Sequence, residues 1–180
     1  AKYPAAIRIV DKENGQYGSC VNAGLTVASG MYVKILDADD SYAHEDFVRL
    51  VEILNNFAGA DNPPDLIVTD YQTVDSSGAV LRNYKYSFKP LKTLPFAELV
   101  LEAEKVGNPA IAYRRKVLDQ VAYRQTEGIA YTDTECIFEP LIAVERFYYF
   151  PKPVYRYLIG RAGQTVECAV SARRVKDFAK

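Results

Sequence analysis

The 180-residue sequence predicts an α/β domain with a largely parallel sheet and an added antiparallel part. Short β-branched runs alternate with amphipathic helical stretches, the rhythm of strand–helix–strand units. A later pair of apolar arms flanks the turn Asp75-Ser76-Ser77-Gly78, which is a hairpin pattern. With 49% hydrophobic and 25% charged residues, the chain carries enough apolar surface for one buried core.

Residues 5–10 read as a strand and residues 11–18 as a polar loop. Ser19 is placed to cap a helix with Val21, Leu25 and Ala28 on one face, and Gly30 ends it. Residues 32–36 form the next strand. An amphipathic helix spans about 45–57, with Phe47, Val48, Leu50, Val51 and Leu54 on its apolar face. Residues 66–71 read as a buried strand and 79–81 as the second hairpin arm. Pro95 starts a helix through about Val106, stopped by Gly107-Asn108-Pro109. Residues 110–113 are a short strand, and 115–122 a helix. Thr132 caps a helix through about Val144, with Asp133 and Glu135 at the positive end of its dipole. Residues 147–150 and 154–158 are strands parted by Pro151 and Pro153, and the basic tail from Ala169 starts a last helix.

Composition narrows the function. A formal net charge of -1 gives no reason to expect a nucleic-acid or anionic-membrane surface. Cys20, Cys136 and Cys168 lack zinc-like or redox-like spacing, and no N-x-Ser/Thr acceptor occurs, which fits a reducing, cytosolic setting. No apolar run approaches the ~18 residues of a membrane span. Fourteen tyrosines suit the half-wet walls of a cleft, or the simple covering of strands.

Asp37-Ala38-Asp39-Asp40 carries the chemistry. It follows an apolar strand, at the end where open α/β sheets collect ligands. Asp37 and Asp39 are two apart, so they share a face if strand geometry persists. Their oxygens suit Mg2+ or Mn2+. Standing alone, the string also suits a solvated loop before a helix. The only histidine, His44, reads as a helix-start residue.

Glu13-Asn14-Gly15, Tyr17 to Asn22, Gly24-Leu25, Gly30-x-Tyr32 and Leu36 to Asp40 together resemble the family 2 glycosyltransferases of the GT-A fold. A second block agrees: Tyr131 to Glu135, Pro153-x-Tyr155-Arg156-Tyr157 and Gly160-Arg161-x-Gly163-Gln164, which is similar to bacterial polysaccharide-type members. The resemblance implies a three-layer α/β/α nucleotide-diphospho-sugar transferase fold over 1–180. Residues 1–70 would carry the nucleotide-sugar and metal half, and 71–180 the acceptor half. It further implies that Asp37, Asn22 and Arg161 contact the donor, that Asp39 does so while ligating Mn2+ or Mg2+, and that Asp133 or Glu135 is the catalytic base, with Asp133 preferred. The donor would be a nucleotide sugar, UDP-linked by expectation. The acceptor would be a saccharide or a lipid-linked sugar, and the reaction a single displacement with inversion. A non-catalytic binding domain of the same fold is the alternative.

The family begins with two further strand–helix units before the strand matched by residues 7–10. An N-terminally truncated fold, lacking about 60 residues, is therefore expected, with self-association across the exposed sheet edge. The resemblance also points to the cytoplasmic side of a cell membrane, with peripheral attachment of the full-length protein.

Overall fold

A computed structural model of the chain describes residues 6–100, 106–161 and 164. Its strands are β1 (Tyr32–Val33), β2 (Ser41–Tyr42), β3 (Leu66–Val74), β4 (Val80–Tyr84), β5 (Thr93–Pro95), β6 (Ile111–Arg114) and β7 (Arg146–Leu158). Its helices are α1 (Gln16–Val27), α2 (His44–Ala58), α3 (Phe96–Val100), α4 (Arg115–Gln120) and α5 (Asp133–Phe138). The strands join one sheet in the order β1-β6-β3-β7-β2, with β4 added to β3 and β5 to β7.

Helices flank both faces of this mixed sheet, but its expected parallel character is corrected. Among the described residues only β3 and β7 pair in parallel; β1 with β6, β6 with β3, β3 with β4, β5 with β7 and β2 with β7 are antiparallel. Alternation of strand and helix along a sequence does not say which strands become neighbours. Of residues 5–10, read as a strand, residues 7–10 form no ladder among the described residues, and Ile9 is 85% exposed.

Strand alternation builds the core on two faces. Leu66, Val68, Phe147 and Tyr149 point to one side, where they meet Leu99, Val117, Leu118 and Ile137 from α3, α4 and α5. Ile67, Tyr148, Phe150 and Val154 point to the other, onto Leu50, Phe47, Ile53, Leu54 and Phe57 of α2. Of the expected apolar face, Phe47, Leu50 and Leu54 pack against the sheet, joined by Ile53 and Phe57, whereas Val48 and Val51 are exposed.

Several boundaries move for local reasons. The helix expected from Ser19 starts at Gln16, behind Gly15, and Ser19 is buried in its first turn. Its hydroxyl donates to the Gln16 carbonyl at 2.9 Å and accepts from Lys12 at 2.8 Å. The helix expected to run from Thr132 to Val144 ends at Phe138 and continues as a 3-10 turn over Glu139–Ala143, where Pro140 supplies no backbone donor. The Thr132 hydroxyl caps nothing and instead accepts from the Gln125 amide at 2.9 Å. The two strands around Pro151 and Pro153 are one, β7. Its register against β3 jumps from Phe150–Thr69 to Pro153–Asp70, so the bulge absorbs the proline segment. His44 is the first residue of α2, as expected. The tail from Ala169 and Cys168 lie outside the described residues. No helix among those described is long and apolar enough to cross a membrane.

Gly18 shows how tightly α1 seats. A Cβ placed there would lie 2.0 Å from the Thr126 carbonyl oxygen. Gly18→Ala is expected to cost about 1–3 kcal/mol, as overpacking does, read as a lower urea midpoint. An unchanged midpoint would show that the loop after α4 yields freely.

Candidate functional site

A cleft of about 660 Å3 opens between α1, residues 33–39, the start of β6 and the first turn of α5. Tyr17, Tyr113, Tyr123 and Tyr157 line it, so the tyrosine-rich composition supplies walls here. One end is apolar, with Val21, Leu25, Ile35 and Leu118. The other holds Asp37, Asp39, Asn108, Arg161 and Gln164.

The acidic string is a turn, not the continuation of a strand. β1 stops at Val33, and the Asp40 amide donates to the Asp37 carbonyl at 3.1 Å. Strand alternation therefore does not set where Asp37 and Asp39 point, yet both line the cleft. Asp40 is structural. It accepts from the Tyr155 hydroxyl at 2.5 Å and the Leu158 amide at 2.8 Å, fastening the turn to β7. The Tyr155 hydroxyl in turn accepts from the Asp37 amide at 3.2 Å.

The carboxyls differ electrostatically. Burial, then the charge of Asp40, raises Asp37 above the ordinary carboxylate range, against a hydrogen bond from Tyr17. The charge of Asp133 is the smallest contribution to the rise. Burial alone would raise Asp39 too, but bonds from Arg161 and Gln164 outweigh it and hold Asp39 low. Arg161 reaches Asp39 Oδ2 through Nε at 3.2 Å and Nη2 at 2.9 Å.

Three predicted residues thus converge: Asp37, Asp39 and Arg161. Asp133 begins α5, is exposed and is not among the residues that line the cleft. Glu135, two residues on, accepts from the Thr126 amide at 2.7 Å and serves the loop after α4. Asn22 is not brought to this end. Its amide donates to the Gln125 carbonyl and to Glu127, both at 2.8 Å, and accepts from the Gln125 amide at 2.9 Å.

Sequence reasoning missed Tyr17, Lys34 and Asn108. The Asn108 amide donates to the Tyr17 hydroxyl at 3.2 Å, and Tyr17 donates to Asp37. Lys34 ends a half-buried side chain in bonds to the carbonyls of Pro109 at 2.7 Å and Ile111 at 3.1 Å. Its one advance signal was a lysine inside an apolar strand.

Burial lowers the Lys34 ammonium from 10.5 to about 7. Above pH 7 the unfolded chain therefore binds a proton that the folded chain does not, so stability rises with pH. Cys136, which burial raises to about 11, acts in the opposite sense from pH 9. Unfolding free energy is expected to increase by about 1–2 kcal/mol from pH 7 to 9, with the slope flattened in Lys34→Met. A slope retained in that variant would exclude Lys34 as its source.

Among the described residues no three His, Cys, Asp or Glu side chains gather into a cation cage. Mg2+ and similar ions are commonly held by one or two carboxylates together with substrate phosphates. The cleft-facing Asp39 fits that shared mode and not an all-protein site.

No family model matches the chain. It is 35% identical over 97 residues to an uncharacterised glycosyltransferase of Rickettsia felis, covering 54% of this chain and 15% of that protein. It is 26% identical over 120 residues to an uncharacterised glycosyltransferase of Methanocaldococcus jannaschii, covering 65% of this chain and 38% of that one. Its fold matches S. aureus TarS 1–349 crystallised with UDP-GlcNAc, with a TM-score of 0.64 at 16% identity, over 86% of this chain and 42% of TarS 1–349. The chain thus spans well under half the length of these proteins. It is similar to glycosyltransferases in sequence and shares its fold with TarS.

Proposed function

We propose that the chain is part of an inverting family 2 glycosyltransferase of the GT-A fold, which moves a sugar from a UDP-linked donor to a saccharide or lipid-linked acceptor in cell-surface polysaccharide synthesis, at the cytoplasmic face of the membrane. The observation that carries this reading is the meeting of Asp37, Asp39 and Arg161 at one end of the cleft. The fold shared with a protein crystallised with UDP-GlcNAc supports the donor class.

Each residue has a task in this reading. Asp39 is the residue that would hold Mn2+ or Mg2+, with the donor diphosphate completing the site. The bound ion supplies charge neutralisation for the leaving diphosphate. Arg161 offers the same diphosphate a charge-assisted fork. Asp37, held by Tyr17 and by the Tyr155–Asp40 anchor, meets the ribose. Asp133 takes the proton of the acceptor hydroxyl as its oxygen attacks the anomeric carbon, opposite the departing UDP, so the configuration inverts. The oxygen–carbon bond forms as the carbon–phosphate-oxygen bond breaks.

UDP is expected to raise the melting temperature of the full-length protein in the presence of Mn2+, and Asp39→Ala to remove at least about nine-tenths of that affinity. Equal UDP binding with chelator present would sink the metal-dependent reading.

A further inference from the structure

We infer that the Arg161 guanidinium and the divalent cation are alternative occupants of Asp39, with Gln164 the positioning residue that holds the carboxylate for both. This deepens the donor-site reading and rests on it.

Asp39 Oδ2 is already fully used. It accepts from Arg161 Nε at 3.2 Å, from Arg161 Nη2 at 2.9 Å and from Gln164 Nε2 at 3.2 Å. A carboxylate oxygen has lone pairs for about two strong bonds. A cation taking this oxygen must displace a donor. One taking the other oxygen would lie within a few ångströms of the guanidinium, where like charges repel.

The two donors differ in freedom. Gln164 is 7% exposed and locked from both ends. Its Oε1 accepts from the amides of Gly160 at 2.9 Å and Arg161 at 3.1 Å, and its Nε2 also donates to the Leu158 carbonyl at 2.7 Å. The Arg161 side chain is 55% exposed, so it can leave Asp39 without unpacking anything. A diphosphate arriving with its cation offers the displaced guanidinium a new bidentate partner. Neither group is left unpaired: Asp39 exchanges a guanidinium for the divalent ion, Arg161 exchanges a carboxylate for the diphosphate, and the ion's second charge is offset by the diphosphate.

The exchange separates two quantities that a simple donor-contact role for Arg161 would not. Mn2+ binding without nucleotide is followed on the full-length protein by the resonance signal of the free ion. UDP binding in the presence of Mn2+ is followed by calorimetry. Arg161→Gln is expected to bind Mn2+ alone about fivefold more tightly, the scale of a partly exposed ion pair. It is expected to bind UDP with Mn2+ about tenfold more weakly, since it lacks the charged fork. Arg161→Lys keeps a competing cation and is expected to stay near the wild type for Mn2+ alone. Gln164→Leu loosens Asp39 and is expected to weaken Mn2+ binding.

Mn2+ affinity unchanged, weakened or undetectable in Arg161→Gln overturns the exchange. If the wild type still binds UDP in a Mn2+-dependent way, only the exchange has failed. If the wild type shows no Mn2+-dependent UDP binding, the donor-site reading has failed and takes the exchange with it. Circular dichroism confirms that each variant is folded.

Discussion

Replacing Asp133 with asparagine is expected to lower sugar transfer by about three orders of magnitude, within the range a positioned general base contributes. UDP binding in the presence of Mn2+ is expected to stay within about twofold of the wild type, because a base acts on the acceptor and not on the nucleotide. Hydrogen bonding separates Asp133 from its neighbour. The charges of both reach cleft residues, that of Asp133 at Asp37, Cys136 and Tyr157 and that of Glu135 at Tyr123, and Asp133 is exposed at the start of α5. Glu135 spends an oxygen on the Thr126 amide. Glu135→Gln is therefore expected to cost about 1 kcal/mol of stability and little rate. The check is product formation by the full-length protein, with unfolding measured on the same samples. A rate collapse in Glu135→Gln with Asp133→Asn near normal would move the base to Glu135.

Asp40→Ala is expected to destabilise the fold by about 2–3 kcal/mol, because two donors lose their acceptor. The Tyr155 hydroxyl and the Leu158 amide both end on this carboxylate, at 2.5 and 2.8 Å. Tyr155 is 2% exposed, so water does not readily replace the lost partner. Asp40→Asn keeps an acceptor in place and is expected to cost less than about 1 kcal/mol. The sign of the pH dependence agrees. Burial is the largest cause of the raised Asp40 carboxyl, so ionising it removes stability as pH rises through its folded value. The asparagine variant lacks that loss. Urea titrations of both variants provide the measurement. An alanine variant as stable as the wild type would show that Asp40 does not anchor the turn.

The chemistry of the site was more legible than its wiring. The acidic string stands out in sequence because three carboxylates follow an apolar strand, whereas Arg161 and Asp133 become site candidates only through the family resemblance. Tyr17 and Asn108 do not stand out, since one opens a helix and the other sits in a Gly-Pro stop. They are 91 residues apart and meet only across the cleft. The resemblance implies that Asn22 contacts the donor, and in the structure its amide is engaged by residues 125 and 127. A polar side chain on a helix has the same local sequence whether it faces a ligand or a loop.

By itself the sequence determined the elements that depend on near neighbours. It placed α2 through its apolar period, β3 through its β-branched run, the Asp75–Gly78 turn through its aspartate, serines and glycine, and the acids of the site through their types. The tertiary structure alone decided which strands pair and what each acid does. Pairing is set between segments far apart in the chain, so β3 took β7 as its parallel neighbour across a long crossover and the rest of the sheet became antiparallel. The three acids of Asp37-Ala38-Asp39-Asp40 differ only in what approaches them: Tyr17 for Asp37, Arg161 and Gln164 for Asp39, Tyr155 and the Leu158 amide for Asp40. Apart from Tyr17, 20 residues before Asp37, those partners lie more than 110 residues away along the chain. No local pattern encodes them.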